Sequence, residues 1–469
     1  FPAPDTFEDP TNRKQTVTSH FVGFAVDLPL LQKSAAAGGG SYYTSSNVSG
    51  LTDALKSIIV DITAENTSFA APSVAVSAFN NLGYRNDLYY ALFRPAEGAR
   101  WPGNVKRYKL GKDASGNPLI VDKNGDAAID DATGFFSDSS SSFWSTTDGK
   151  DVAKGGVAAQ LLDPDTRNVL TWTSATDRTP TAAEGVTGSA ALVALSTANV
   201  SASLLGAADA TEQGTFVNWA RGKNTDNSPR LAIGDVLHNE PKLVAYTTDE
   251  DLVRVQGAAE GTATSPEQLY MFFGDNEGFI HAIDPNNGAE KFAFIPKELL
   301  KNPGAYLKNA KGTANKKYGI DGQINLWTEY SALDAGTKTR SLNKAYLYAG
   351  MRRGGSNYYA LDVLNINSPQ LKWVIKGPEQ TLVSGNYSNA ATGFTPGYAK
   401  LGRTFSAPKL TKLKVNGTET KVLIFTGGYD LDQDTVGTNV PKNDDIGNSL
   451  FVADAETGKL IWHASNSGA

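Results

Sequence analysis

The chain has 469 residues, with 43 Lys and Arg against 49 Asp and Glu, a net charge of −6, and no cysteine. That balance excludes the basic stripe that holds nucleic acid by counterion release, so no nucleic-acid partner is expected. The missing cysteine excludes thiol nucleophiles, zinc–thiolate centres and disulfides, and no apolar run approaches the roughly eighteen residues of a transmembrane segment.

Residues 1–65 read as a connector from a missing N-terminal domain. FPAPDTFEDPTNRKQ is proline-rich and polar, and AAAGGGSYYTSS (35–46) is small-residue and flexible in composition. LTDALKSIIVDIT (51–63) carries apolar residues at helical spacing behind Thr52 and Asp53, which predicts one helix there. Phe1 is not a translation start, so the chain is expected to be a fragment or a processed form.

From about Ala71 the pattern changes to alternating strands: SVAVSAF, DLYYALFRP and NVKRYKL. Residues 112–190 are turn-rich, and the serine run Ser137–Ser142 is expected to be exposed. ALVALSTANVSASLLG (191–206) fits a helix or a strand pair, and TFVNWARG (215–222) reads as a short helix.

Three later stretches share one pattern. LYMFFGDNEGFIHAIDPNNGAEKFAF (from Leu269), AYLYAGMRRGGSNYYALDVLNINSPQLKW (from Ala345) and VLIFTGGYDLDQD…LFVADAETGKLIW (from Val422) each run from an apolar strand ending in Gly to a turn. An apolar strand closing on Asp284, Asp362 or Asp454 follows, and then a Phe or Trp. The glycines Gly274, Gly350 and Gly427 recur at almost equal intervals. A four-stranded unit that buries neither face alone must stack on copies of itself. The fold class expected over residues 66–469 is therefore mainly β, a modified β-propeller with irregular blades, long insertions and few short helices. Seven blades in the full protein is one ring compatible with this spacing. The third repeat ends on Ile461-Trp462, so the propeller is expected to be cut short at its C-terminus.

Several segments resemble the PilC/PilY family of type IV pilus biogenesis factors and tip adhesins. They are LYYALFRPAEGARWPGNVKRYKL (88–110), DGKDVAKGGVAAQL (148–161), RNVLTW (167–172), GDVLHNEPKLV (234–244), GDNEGFIHAIDPNNGAEKFAFIP (274–296), YAGMRRGGSNYYALDV (348–363) and GGYDLDQD (427–434). They stand in the family's order across roughly residues 50–469. The resemblance implies a modified propeller in the C-terminal half of a large exported protein, with a von Willebrand A-like domain often lying upstream. It implies a place at the cell surface, outer membrane and pilus tip of a Gram-negative bacterium. The implied role is to support pilus extension against retraction and to bind host cells or surfaces. The implied partners are pilins or minor pilins and a host-cell receptor or matrix.

The residue pattern that points to chemistry is Asp430-Leu431-Asp432-Gln433-Asp434. Carboxylates at i, i+2 and i+4 converge on one side of a tight loop, and the carbonyl of Val436 can add to a hard-oxygen shell for Ca2+. Three such acids repel one another unless a cation sits among them. Otherwise the segment is a solvated acidic loop. An EF-hand would have glycine at Thr435 and a bidentate Glu at Pro441. The family loop, nine residues long, supplies an acid where this chain has Thr438, and Asp444 or Asp445 could replace it. A second, weaker candidate is Asp122, Asn124, Asp126 and Asp130, at loop positions 1, 3, 5 and 9; D-x-N-G is equally ordinary turn chemistry.

Met351-Arg352-Arg353-Gly354-Gly355 offers either a cationic rim or a blade contact with Arg352 buried. His238 and His281 read as satisfied packing histidines, and Trp101, Trp144, Trp373 and Trp462 as blade anchors. No catalytic residue is expected: G-x-S-x-G, H-E-x-x-H and P-loop motifs are absent, as is Arg-Gly-Asp. Two alternatives to a non-enzymatic pilus factor remain. A quinoprotein-like oxidoreductase shares the blade pattern, although a vicinal cysteine pair is excluded. A glycan-binding propeller could stack sugars on Tyr42, Tyr43, Tyr358 and Tyr359.

Overall fold

The computed structural model describes residues 19–48, 50–55, 58, 69–74, 86–130, 134–146, 148–161, 163–174, 176–249, 268–311, 316–337, 339–383, 386–434 and 444–465. Strand Gln268–Gly274 shows how the fold is built. Every residue after Gln268 is buried, because a strand sends alternate side chains to opposite faces and both faces are covered here. Tyr270 and Phe272 join a cluster with Leu347, Ala349 and Tyr359. Met271 and Phe273 join another, with Tyr89, Ala91 and Val105. The same division recurs in Thr339–Gly350, whose Leu347 and Ala349 face one way and whose Tyr346 and Tyr348 face the other.

Four antiparallel blades result among the described residues. The first comprises Phe69–Val74, Asp87–Phe93, Pro102–Lys112 and Pro118–Val121. The second comprises Lys242–Asp249, Gln268–Gly274, Ile280–Ile283 and Glu290–Ile295. The third comprises Ile324–Tyr330, Thr339–Gly350, Asn357–Asp362 and Gln370–Lys376. The fourth comprises Lys409–Val415, Thr418–Thr426, Ser449–Asp454 and Leu460–Ser465. One apolar cluster lies between each successive pair. Blades stacked face to face in this way make a modified β-propeller, as the repeats lead one to expect. The long strand Thr339–Gly350 also reaches out of its blade to pair with Lys242–Asp249. Val169–Thr171 and Ala190–Ala191 add short edges to the second and third blades.

The repeated residues have local causes. Asp284, Asp362 and Asp454 each accept a backbone N–H from two or three residues on, at 3.0, 3.1 and 2.8 Å, and so close the turn after the third strand. At Gly274 a Cβ would lie 2.4 Å from Ile320 Cγ2, and at Gly427 it would lie 2.5 Å from the Gly447 carbonyl. The strand ends are tight because the following connection folds directly over them.

Five expectations need correction. Tyr358 and Tyr359, expected to be exposed for stacking on sugars, are buried in the clusters between blades. Residues 35–46 take regular structure rather than a linker conformation: they complete helix Pro29–Ala37 and form strand Gly39–Ser45, which runs parallel to Ser19–Phe24. The serine run is largely buried from Ser140 to Ser142, because the Ser141 and Ser142 amides donate to Asp122 and Asp148 at 2.9 and 2.8 Å. Trp462 is 51% exposed, since it pairs with Val452 on the face turned away from Phe451 and Ala453. Arg352 is only half-buried. Residues 190–206 combine both alternatives, two short strands followed by helix Ala202–Leu205. The helix read at 215–222 is Ala210–Arg221, capped by Asp209, which accepts from the Glu212 amide. Of the helix read at 51–63, residues 51–55 are helical and most of the rest lies outside the described residues.

Candidate functional site

The acidic turn leaves the fourth blade just after Thr418–Thr426, and Leu431–Asp434 forms one turn of 3-10 helix. Leu431 is buried and anchors the turn, which leaves the acids on either side of it to face polar partners. Asp430 is buried and accepts four hydrogen bonds. Gln380 Nε2 and the Asp432 amide reach Oδ1 at 2.7 and 3.0 Å, and the Asp445 and Ile446 amides reach Oδ2 at 3.1 and 3.4 Å. Asp432 accepts from the Tyr387 amide at 3.2 Å. Asp434 pairs with Arg353 of the third blade at 2.8 Å and accepts from the Tyr429 hydroxyl at 2.6 Å. Burial would push the Asp434 carboxyl up, but the Arg353 and Tyr429 hydrogen bonds outweigh it and hold it below its ordinary value.

The turn is thus a latch between blades as well as an array of carboxylates. Among the described residues no three His, Cys, Asp or Glu side chains gather as one metal-holding group. Val436 and Thr438 lie outside the described residues. The donor set itself, carboxylate oxygens from one turn, is chemically suited to a hard cation such as calcium. Asp444, weighed as a substitute ligand, accepts from Gln433 Nε2 at 2.7 Å.

The second candidate loop is folded by its own first residue. Asp122 is buried and accepts from the Asn124 and Asp126 amides at 2.8 and 3.1 Å and from the Ser141 amide at 2.9 Å. Asn124, Asp126 and Asp130 are exposed. Glycine at 125, with φ of 88°, lets the turn close.

Sequence reasoning missed a buried ionic network beneath the turn Asp275-Asn276-Glu277-Gly278. Arg167 grips Glu290 with two hydrogen bonds, Nε to Oε2 at 2.7 Å and Nη2 to Oε1 at 3.0 Å. His281 Nδ1 lies 2.7 Å from the same carboxylate, and Nε2 lies 3.4 Å from Asp275. Arg230 holds Glu277 at 3.1 and 2.8 Å and stacks on Trp219. Asn276 donates to Asp235 and Asp321, Lys316 pairs with Asp235, and His238 lies 2.9 Å from Asp321. Burial alone would lower the His281 imidazole, yet its bonds to Asp275 and Glu290 raise it to about 9. Burial alone would raise Glu290, yet the Arg167 charge and the His281 hydrogen bond lower it to about 2. His281 is therefore a satisfied structural group, while His238 is held through Nδ1 by Asp321. The one signal in the sequence was the polar run after a wholly apolar strand; its partners lie too far along the chain to be paired by inspection.

The stacked antiparallel blades, joined by long polar connections, define the class as a modified β-propeller. No family profile matches the chain. It is 28% identical over 175 residues to a type IV pilus biogenesis factor PilY1 homolog of Xylella fastidiosa, covering 34% of this chain and 13% of that protein. It is 22% identical over 441 residues to the type IV pilus biogenesis factor PilY1 of Pseudomonas aeruginosa, covering 90% of this chain and 31% of that protein. These matches bear out the resemblance seen in the sequence: the chain is similar to type IV pilus biogenesis factors named PilY1. The matched regions make up less than a third of either relative's length. A crystal structure of the Pseudomonas aeruginosa PilY1 C-terminal domain matches at a TM-score of 0.26 and 20% identity, over 43% of this chain and 31% of that one. Among the described residues no helix is long and apolar enough to cross a membrane.

Proposed function

We propose that this chain is the propeller region of an exported, surface-located type IV pilus factor that binds calcium at the acidic turn. It would support pilus extension against retraction, contact pilins or minor pilins, and adhere to host cells or surfaces. The observation that carries the reading is the match to PilY1 along 90% of the chain. Asp430, Asp432 and Asp434 would hold the ion, with the Val436 carbonyl and Thr438 completing the shell. Calcium would supply the positive charge that three carboxylates in one turn lack. The turn connects to the rest of the molecule through Gln380, Tyr387 and Arg353. Its order therefore bears on the third blade as well as the fourth.

The test is genetic, in a bacterium whose own full-length factor carries this propeller. Asp432→Ala is introduced in the chromosome, and surface pili are counted with retraction intact and with it disabled. The reading expects pili to be lost when retraction is intact and restored when it is disabled. Normal piliation with retraction intact would remove the calcium turn from the function.

A further inference from the structure

A cleft of about 690 Å3 opens beside the third blade. Its walls come from Trp172, Asp177, Ser203 and Leu204, from parts of segments 297–302, 316–318, 353–359, 374–380 and 390–393, and from Arg403. Seven Lys and Arg side chains line it against three Asp and Glu. Most of these charges are already committed. Asp177 holds Lys297 at 3.5 Å and Lys376 at 2.6 Å, and Glu379 lies 3.9 Å from Lys301. Lys316 and Arg353 are taken by Asp235 and Asp434, which are not in the lining. Glu298 is occupied by Asn357 and Tyr359.

Two cations are left over. Among the described residues, neither the Lys317 ammonium nor the Arg403 guanidinium has a hydrogen bond or an ion pair. Arg403 Nε and Trp172 Nε1 are moreover buried donors without an acceptor. Native interiors leave few donors unmatched. A cleft whose lining carries seven cations against three acids, two of the cations unpaired, favours a ligand that brings anionic oxygens.

The remaining lining narrows the chemistry. Hydroxyl and amide side chains, among them Ser203, Asn302 and Thr392, share the lining with Trp172 and Tyr318. Single cations amid hydroxyls, amides and ring faces suit sugar rings carrying carboxylates, whereas a phosphate site gathers backbone N–H groups at a helix start or nest. We propose that this cleft binds an acidic oligosaccharide of the uronate type, with Arg403 and Lys317 meeting its carboxylates. The cleft adjoins the acidic turn through Gln380 and Arg353, but the inference does not require calcium to bind there.

The chain is titrated calorimetrically with tetragalacturonate, with neutral maltotetraose and with inorganic phosphate, all in excess chelator, so that failure here is separate from failure of the calcium reading. Tetragalacturonate should bind saturably at one site, more weakly as salt rises, while maltotetraose and phosphate should not. Losing one charge-assisted hydrogen bond should weaken binding about tenfold in Arg403→Gln and again in Lys317→Glu. Lys317 is exposed, so the second variant should fold normally and keeps the test valid if Arg403→Gln does not. Equal binding of maltotetraose, phosphate binding as tight as tetragalacturonate, unchanged affinity in Lys317→Glu, or no binding at all would each overturn the proposal.

Discussion

His281 sits between Asp275 and Glu290 with about 1% of its side chain exposed, and its protonation is part of the fold. Its folded value is raised from 6.5 to about 9. The stability it contributes is therefore fully present below pH 6.5 and lost as pH rises through 9. Glu290 is lowered from 4.5 to about 2, so its contribution is present above pH 4.5 and lost as pH falls through 2. Thermal melts should show a Tm that declines between pH 6.5 and 9, and His281→Gln should melt lower with that decline flattened. An unchanged slope in the variant would mean that other groups set the alkaline limit. Arg167→Met should cost about 3–5 kcal/mol in denaturant unfolding, because it leaves Glu290 buried without its cation. His281 was legible as a packing histidine. Its partners were not, because Arg167 lies 123 residues before Glu290, and an ion pair at that separation leaves no local pattern.

Blades are the elements, and the interfaces between them carry the packing. Trp373 is wholly buried, stacks on Tyr348 at 5.6 Å and donates to the Ala455 carbonyl at 3.3 Å, so it joins the third blade to the fourth. Trp373→Ala should cost about 3–5 kcal/mol in denaturant unfolding, whereas Trp462→Ala, on the open face, should cost under about 1 kcal/mol. Comparable losses would contradict the assignment of faces. Gly274→Ala should destabilise by about 1–3 kcal/mol, because the new methyl meets Ile320.

The second, third and fourth blades were legible because a repeated strand–Gly–turn–strand–Asp unit has one physical solution, stacking. Trp462 was misjudged because a tryptophan at a repeat position looks the same whether or not its face is covered. The serine run was misjudged for a related reason. Serine composition signals exposure, but these amides are the donors that two buried aspartates require.

At the scale of the whole molecule, each blade face between the first and the fourth is covered by a neighbour, and the acidic turn ties the last two blades together. The Arg353–Asp434 pair is partly exposed, so it contributes under about 1 kcal/mol to stability. It nevertheless competes for a carboxylate that the proposed calcium shell needs. Arg353→Ala should therefore leave the melting temperature almost unchanged and tighten calcium binding, as read by titration with and without the substitution. Weaker binding in that variant would assign Arg353 a supporting role instead. The acids of the turn were plain in the sequence. Their latch to Arg353, Gln380 and Tyr387 was not, because it depends on how the third and fourth blades are stacked.

The most direct test is a calorimetric calcium titration of this chain beside Asp432→Ala. The account predicts one saturable site in the parent chain that is lost in the variant. Binding that survives in the variant would move the ion to the loop at Asp122–Asp130, and no binding in either protein would contradict the calcium claim outright.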